Sequence, residues 1–564
     1  MTRFSTRLVL RHAASPLVLA LMAWSWTAAC SDNASPSDAF DVSAPPADAV
    51  DADDIVPDTD PHADTDPHPD TGDGGDTGED TALPDADPDA PEDAPGFSIF
   101  VPATFPEIEG VRVPFVVRAI TPDGGVDASM SVPVAISVEA GLEGAPDVLD
   151  LRRGVGSVTA GLYGDGRLRV GNVTANVRAH TPAVEEVSGD IAETTAWTSG
   201  RLYRVRDDVR IPNGVTLTVE AGTWVVLDED VNVFVDGTLD VRGTADEPVV
   251  FTSAGDAWGG LIASSGARID VVRGMFVGGG GDDTRHWGHS NSQPVIRGSD
   301  ATVTFVDSVI QDCEGKAMGA VEGSFTIARS LITRTDTGGE FERASVEITD
   351  SHYLNIREGN PSATPDDNDG VYFYHPETRA TVLRSTFIGG TDDGIDHNGA
   401  QLEVRQSWVE GFDNECVATS NQGRVVIADT VLRGCAQCLE AGYEEPEVVG
   451  SHLVITGCDV GLRFGDNYAG RTHTGTLSVT DSIIFGNAEH AILNLDPTTE
   501  APVEGAITVS TSLLDANMDA VGDGSGNIEG TPTFTDYLLL AAESPGRGAC
   551  SHGYDVGLIT AQPR

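Results

Sequence analysis

Carboxylates crowd into one stretch of this 564-residue chain. Pro365-Asp366-Asp367-Asn368-Asp369-Gly370-Val371-Tyr372 is followed by Thr391-Asp392-Asp393-Gly394-Ile395-Asp396-His397, and then by Asp413-Asn414-Glu415-Cys416. Two carboxylates a strand spacing apart cannot both stay ionised cheaply. Either one keeps its proton or a cation sits between them. A protonated carboxyl beside an ionised one is the pairing that glycosidic-bond hydrolysis needs. A cation there would be Ca²⁺, which takes about six to eight oxygens. Asp366, Asp367, Asp392, Asp393, Asp413 and Glu415 are the candidate ligands. No cofactor is required by the pattern, and Ca²⁺ is the one it admits. Asp-Gly and Asn-Asp steps also suit tight corners for purely conformational reasons. A non-catalytic scaffold that recognises polysaccharide or another extracellular partner is therefore the leading expectation. A polysaccharide hydrolase or lyase is the alternative. Tyr372, Phe373, Tyr374 and His375 beside the acids form either a stacking platform for sugar rings or an aromatic ladder in the core.

Something must hold these acids in register, and the sequence repeats in a way that can. Segments such as Val303 to Ile310, Phe325 to Ile332 and Leu402 to Val409 share one pattern: alternating apolar residues, a Ser or Thr, then apolar residues again. The Ser/Thr landmarks fall at 308, 330, 351, 385, 407, 430, 451, 482 and 512. Most are about 22 residues apart, and the longer gaps carry inserted loops. This period predicts an all-β fold, a right-handed parallel β-helix with three short strands per coil. Asp393 and Glu415 each follow a landmark by eight residues, so they stack on adjacent coils, about 4.8 Å apart.

The opening of this region resembles a known family. Val215 to Thr223, Gly237 to Thr244, Pro248 to Ser253 and Trp258 to Leu261 look like the first coils of pectate-lyase-like β-helix proteins, and Ser544 to Gly557 resembles their terminal segment. The resemblance spans roughly 370 residues. It implies the fold, and it implies little about activity, because that fold hosts many functions. Asn368-Asp369-Gly370 and Asp392-Asp393 also resemble part of the polygalacturonase pattern. That resemblance implies Asp369 and Asp392 as water-activating residues and Asp393 as the acid. The Thr of the first motif and the downstream Gly-His-Gly and Arg-Ile-Lys motifs are missing. A pectate-lyase reading would need an arginine base beside the metal, and Arg384 or Arg405 is the candidate.

Four cysteines lie on consecutive coils. By landmark counting, Cys416 pairs with Cys438 and Cys435 with Cys458, with a four-cysteine zinc site as the alternative. Cys313 and Cys550 are left unassigned. Gly278 to Gly281 with Asp282 to His289 reads as a protruding loop, in which His286 and His289 could meet a metal.

The net charge of −56 is unevenly spread. Residues 1–30 hold Arg3, Arg7 and Arg11 and no acid, then an apolar run, then Ala28-Ala29-Cys30. This resembles a bacterial lipoprotein signal, with Cys30 as the lipidated residue. Residues 31–95 carry −21 in an Asp- and Pro-rich tract too polar to fold, and read as a disordered linker. Residues 96–190 show short alternating runs between turn signals and read as an immunoglobulin-like β-sandwich, a spacer or adhesion module. Residues 191–564 form the β-helix. The chain is thus expected to be exported and lipid-anchored at the outer membrane or cell surface. Its contact with the membrane would be through the lipid anchor only. Lys316 is its only lysine. Such an acidic surface excludes nucleic acid as a partner.

Overall fold

A computed structural model describes residues 96–562, except 140, 358–367, 467–469, 497–498 and 516–523. The expectations placed on Cys30, the signal segment, the linker, Asp366 and Asp367 lie outside the described residues. Apart from one short 3₁₀ turn at Asp283–Arg285, every regular element described is a β-strand.

Two small sheets come first. One joins Gly96–Phe100, Arg112–Ile120, Val155–Leu162 and Leu142–Glu143. The other joins Thr104–Pro106, Val173–His180, Gly166–Val170, Pro133–Glu139 and Val148–Asp150. Alternation in these strands buries Phe105, Phe115, Val117 and Leu168 completely. The continuous parallel stack begins with Ala183–Asp190, which lies beside Arg201–Ile211. From there the chain coils as a parallel β-helix, and each full coil contributes a strand to three stacks.

The first stack is a thirteen-stranded parallel sheet running from Thr195–Trp197 to Ile507–Ser510. Its inward rows are apolar ladders, for example Val303, Phe325, Val346, Ala380, Leu402 and Val425 in register. The second stack includes Val309–Gln311, Leu331–Thr333, His352–Leu354, Thr386–Gly390 and Trp408–Phe412. The third includes Ile296–Ser299, Met318–Val321, Glu340–Glu342, Val371–Tyr374, Ile395–Asn398, Glu415–Val417, Gln437–Ala441 and Val460–Phe464.

The Ser/Thr landmarks turn the corner between first and second stacks. The N–H of Ser308 donates to Ser330 Oγ at 3.2 Å, Ser330 to Ser351, Ser351 to Ser385, and Ser385 to Ser407, each at 3.2 Å. Each hydroxyl also donates to the carbonyl two residues back. The residue before each landmark is left-handed: Asp307, Arg329, Asp350, Arg384 and Gln406 have φ between 47° and 51°. Left-handed non-glycine residues cost about 1–2 kcal/mol each. The buried hydroxyl ladder satisfies the amides that those corners would otherwise leave unpaired. One landmark is displaced. His452 is the left-handed residue of its coil, and Leu453 rather than Ser451 occupies the ladder position, donating to Ser482 Oγ.

The cysteine pairing differs from the expectation. Cys416 bonds Cys435, and Cys438 bonds Cys458, with Cα separations of 5.6 and 5.8 Å. Each bridge spans 19 or 20 residues, less than a full coil. A strand cysteine therefore reaches across the bend to the corner of the next coil, not straight up its own ladder. Residues stacked in register project in parallel, which suits a disulfide less well than an angled corner approach. The bonds occupy the four thiols of the zinc alternative, and Cys313 and Cys550 are buried and free.

Candidate functional site

The three outer faces of the coil differ. The first stack presents surface ion pairs, such as Arg268–Asp270 and Arg405–Glu403. The second presents an apolar row, Leu202, Trp224, Val250, Met275, Val309 and Leu331, which joins the sandwich core. The third stack carries the acids.

Register dictates that concentration. Glu340, Tyr372 and Asp396 are in register on successive coils. Glu440 and Arg463 continue in register further along the stack. A second row lies just before these strands. Gly338 N–H donates to Asp369 O, Gly370 N–H to Asp393 O at 2.7 Å, and Gly394 N–H to Glu415 O at 2.8 Å. Asp369, Asp393 and Glu415 thus climb the corner as a ladder, with Gln437 donating to Glu415 Oε1 on the next rung. The glycines are required here. A Cβ at Gly370 or Gly394 would strike the carbonyl of the neighbouring coil.

Asp369, Asp393, Glu415 and Glu440 are all buried, and Asp396 is half-buried. Carboxyl oxygens of Asp369, Asp393 and Asp396 lie within 4.8 Å of one another. Asp393 Oδ1 accepts the Glu415 N–H at 2.7 Å. Burial, then the charges of Asp396, Asp393 and Asp392, hold the Asp369 carboxyl far above the usual range. Burial and Glu415 do the same for Asp393. Burial first, then Glu440, pushes Glu415 up to about 9, and burial pushes Glu440 up to about 8. Side-chain hydrogen bonds link Asp393 to Glu415 and Glu415 to Glu440.

The surroundings are aromatic. Tyr372 faces outward and Phe373 inward, where it stacks on Phe341. The two readings of this run each describe alternate residues, as strand geometry requires. Tyr374 stacks on Tyr372 at 6.2 Å and is 41% exposed. Tyr443 Oη accepts from Asn398 Nδ2 at 3.0 Å, and Arg471 covers its ring. On the other side the Gly278–His289 loop folds back onto this face. His289 stacks on Tyr372 at 4.7 Å, and its N–H donates to Glu340. His286 meets Asp283. Lys316 forms a buried ion pair with Glu340 and donates to Trp287 O at 2.6 Å.

Not every sequence candidate reaches this place. Asp392 is half-buried beside Asn414, and Asp413 is exposed at the corner, outside the three-carboxyl group. Of the described Ca²⁺ candidates, Asp393 is the one in the three-carboxyl group. Arg384 pairs with Asp350 at the first corner, and Arg405 pairs with Glu403 on the first stack. Neither is a lyase base for these acids. His397 faces the core, with both ring nitrogens buried and lacking a hydrogen-bond partner, and burial lowers it to about 4. Glu340, Glu440 and Tyr443 belong to the site and were not singled out from the sequence. A lone acid inside an apolar strand, as in Cys438-Leu439-Glu440-Ala441, is the signal that marks Glu440.

The three strand stacks define a parallel β-helix. Residues 189–280 match the family model described as pectate-lyase like beta helix domain. No curated protein sequence matches the chain. Among solved structures, bacteriophage CBA120 tailspike protein 3 is similar at 9% identity and a TM-score of 0.31. That similarity covers 63% of this chain and 54% of the tailspike, about half its length. The A-modules of the Azotobacter vinelandii mannuronan C-5 epimerases AlgE6 and AlgE4 are similar at 10% and 12% identity, with TM-scores of 0.24 and 0.18. These cover 63% and 64% of this chain and 91% of each module.

Proposed function

We propose that this chain is an exported, lipid-anchored protein that recognises polysaccharide along the outer face of the third stack. One observation carries the reading: Tyr372 and Tyr374, two outward rings stacked along one strand, lie beside His289 and next to the half-buried Asp396 on the following coil. Aromatic faces pack against the apolar faces of sugar rings, and carboxyl and amide groups fix their hydroxyls. Affinity electrophoresis against a panel of acidic and neutral polysaccharides tests this. Retardation by at least one polymer, lost in Tyr374→Ala, is the expected result. Equal migration of both proteins in every gel would sink the proposal.

A second reading follows from the convergence of Asp369, Asp393 and Asp396. Carboxyls this close, with those of Asp369 and Asp393 buried and shifted upward and Asp396 nearer solvent, suit an acid and nucleophile pair for retaining glycosidic hydrolysis. In that reading Asp393 protonates the leaving oxygen as Asp396 attacks the anomeric carbon, and Asp393 then takes the proton of the water that releases the sugar from Asp396. New reducing ends that vanish in both Asp393→Asn and Asp396→Asn support it. Binding without any product assigns the face to recognition alone.

A further inference from the structure

The left-handed corner residues between the first and second stacks have a second job on the late coils. On early coils these positions hold surface ion pairs, Arg329 with Asp307 and Arg384 with Asp350. On later coils they are Gln406, Asp429, His452 and Asp481, with φ between 50° and 53°, and each side chain grips the C-terminal segment, residues 549–562. Gln406 Nε2 donates to Thr560 Oγ1 at 3.0 Å, and Asp429 Oδ1 accepts the amides of Ile559 and Thr560 at 2.8 and 2.9 Å. His452 Nδ1 lies 3.1 Å from Gly557 O, and Asp481 accepts the N–H and the hydroxyl of Ser551 at 2.7 and 2.8 Å. The segment thus runs back along the row with one grip per coil.

At the last two grips a third kind of group joins. A ring nitrogen of His452, a carboxylate oxygen of Asp481 and Sγ of Cys550 lie within 4.8 Å of one another. Asp481 and Cys550 are buried, His452 is half-buried, and the Cys550 thiol is in no disulfide. Two other groups of metal-ligating side chains come together among the described residues. Cys416, Cys435 and Cys458 are spent in disulfides, and Asp369, Asp393 and Asp396 are carboxyls alone. The corner group is the one that joins nitrogen, oxygen and sulfur.

Each member is held as a ligand is held. The Gly557 carbonyl can only accept, so Nδ1 carries the proton of the neutral His452 ring and Nε2 carries the lone pair. His452 makes no other side-chain hydrogen bond among the described residues. A carbonyl on the far nitrogen is the usual support of a metal-binding imidazole. An ionised carboxylate has about four acceptor sites. Asp481 fills two on Oδ1, from Ser551 N–H and from Thr511 Oγ1 at 2.6 Å, and one on Oδ2, from the Ser551 hydroxyl. One site on Oδ2 is left over. Cys550 Sγ accepts the His552 N–H at 3.4 Å, a contact that favours negative charge on the sulfur.

We propose that His452, Asp481 and Cys550 form a zinc site that pins the C-terminal segment to the coils. Thiolate with imidazole selects Zn²⁺ over the hard cations that all-oxygen sites take, and water completes the tetrahedron. A tetrahedral zinc holds its ligand atoms about 3.5 Å apart, so the three side chains draw in by about 1 Å. Binding breaks the S–H bond of Cys550, forms a Zn–S bond and sends the proton to solvent. The site belongs to the first corner and is independent of polysaccharide binding on the third stack.

Co²⁺ titration of the full chain, after chelator treatment, tests it. Cobalt on a thiolate shows a near-ultraviolet charge-transfer band that all-oxygen sites lack. One equivalent of Co²⁺ should produce the band, and Zn²⁺ should displace it. Cys550→Ala should lose the band, and Cys313→Ala, which removes the other free thiol, should keep it. His452→Gln and Asp481→Asn should each weaken binding roughly tenfold or more. Zn²⁺ should also raise the melting temperature of the parent by more than that of Cys550→Ala. Circular dichroism confirms the fold of each variant, and His452→Gln decides if Cys550→Ala does not fold. The proposal is overturned if the parent shows no thiolate band, if the band survives in folded Cys550→Ala, or if folded His452→Gln binds as the parent does.

Discussion

The second and third stacks share every coil and the same parallel register, yet their outer faces use burial in opposite ways. The second carries an apolar row that the two small N-terminal sheets and the C-terminal segment cover, and a cleft beside it is lined by Arg118, Arg153, Arg329 and Arg384 with Asp307 and Asp350. The third has acids on and beside its strands, and meets them with protons, aromatic rings and one buried lysine. A parallel β-helix repeats whatever a register position holds, because each residue stacks on its equivalent one coil away. An apolar position repeated this way needs a lid. An acidic one needs protons or cations. The two small N-terminal sheets consequently cover part of that row and share a core with it.

The largest difference between the faces should appear when one partner of an ion pair is removed. Lys316 and Glu340 are almost inaccessible, with side chains 0% and 5% exposed. Lys316→Ala leaves a carboxylate buried without its cation, so a loss of about 3–5 kcal/mol is expected in urea denaturation. Lys316→Met with Glu340→Gln should recover most of it, since the penalty lies in the orphaned charge. A loss below about 1 kcal/mol for Lys316→Ala would mean that water reaches this pair.

Next is the dependence of stability on pH, where the two faces have opposite signs. Glu415 and Glu440 lie at about 9 and about 8 in the folded chain, against 4.5 ordinarily. Between those values the unfolded chain has lost protons that the folded chain keeps. Their contribution is therefore complete below about pH 4.5 and declines as pH rises toward 9. His352 lies at about 3 against 6.5, so the unfolded chain binds a proton there that the folded chain refuses. Its effect runs the other way: stability rises from pH 3 to 6.5, and His397 at about 4 adds to this limb. Melting temperatures should trace a bell. Glu415→Gln with Glu440→Gln should flatten the alkaline limb by an amount on the order of a few kcal/mol. If alkaline stability stays unchanged in that double variant, the acid ladder is not what sets it.

Much of this architecture was legible before any coordinates. The hydroxyl ladder was readable because a corner serine has a fixed job, and Asp393 and Glu415 could be stacked by counting from it. Counting stops working where facing matters. Asp413 sits two residues from Glu415, yet it points into solvent, because the corner between second and third stacks turns before the strand begins. Glu340 could not be placed by sequence alone, since its partner Lys316 lies a coil away and its cap, His289, comes from a loop without periodicity. The bridge from Cys416 to Cys435 escaped for the same reason: period gives the coil, and only backbone direction gives the side that a thiol faces. The cleft was the least visible feature, because Arg118 and Arg153 come from a part of the chain with no share in the repeat.

A smaller contrast comes from replacing one polar rung on each face with leucine. His352→Leu continues the apolar row between Leu331 and Trp408 and removes a buried nitrogen that has no partner. Stability at pH 7 should change by less than about 1 kcal/mol, with any gain growing at pH 5. Asp393→Leu takes away the acceptor of the Glu415 N–H and should cost about 1–3 kcal/mol. Urea midpoints for the two variants decide it, and similar losses would erase the distinction between covered and proton-satisfied rows.

The weakest effect expected is at the rim of the cleft, and it fixes the lower end of the scale that Lys316 opens. Arg329 and Asp307 form a two-hydrogen-bond pair of good geometry, but their side chains are 55% and 25% exposed. Water screens such a pair, and ordering the long arginine side chain costs entropy that offsets the attraction. Arg329→Ala should therefore cost between 0 and about 1 kcal/mol, and less still at high salt. The same truncation chemistry would then differ severalfold between two faces of one coil, with solvent access as the variable. If Arg329→Ala proves as damaging as Lys316→Ala, the rim is sealed from water. Asp307 would then be a buried charge held only by the more distant Arg273 and Arg118.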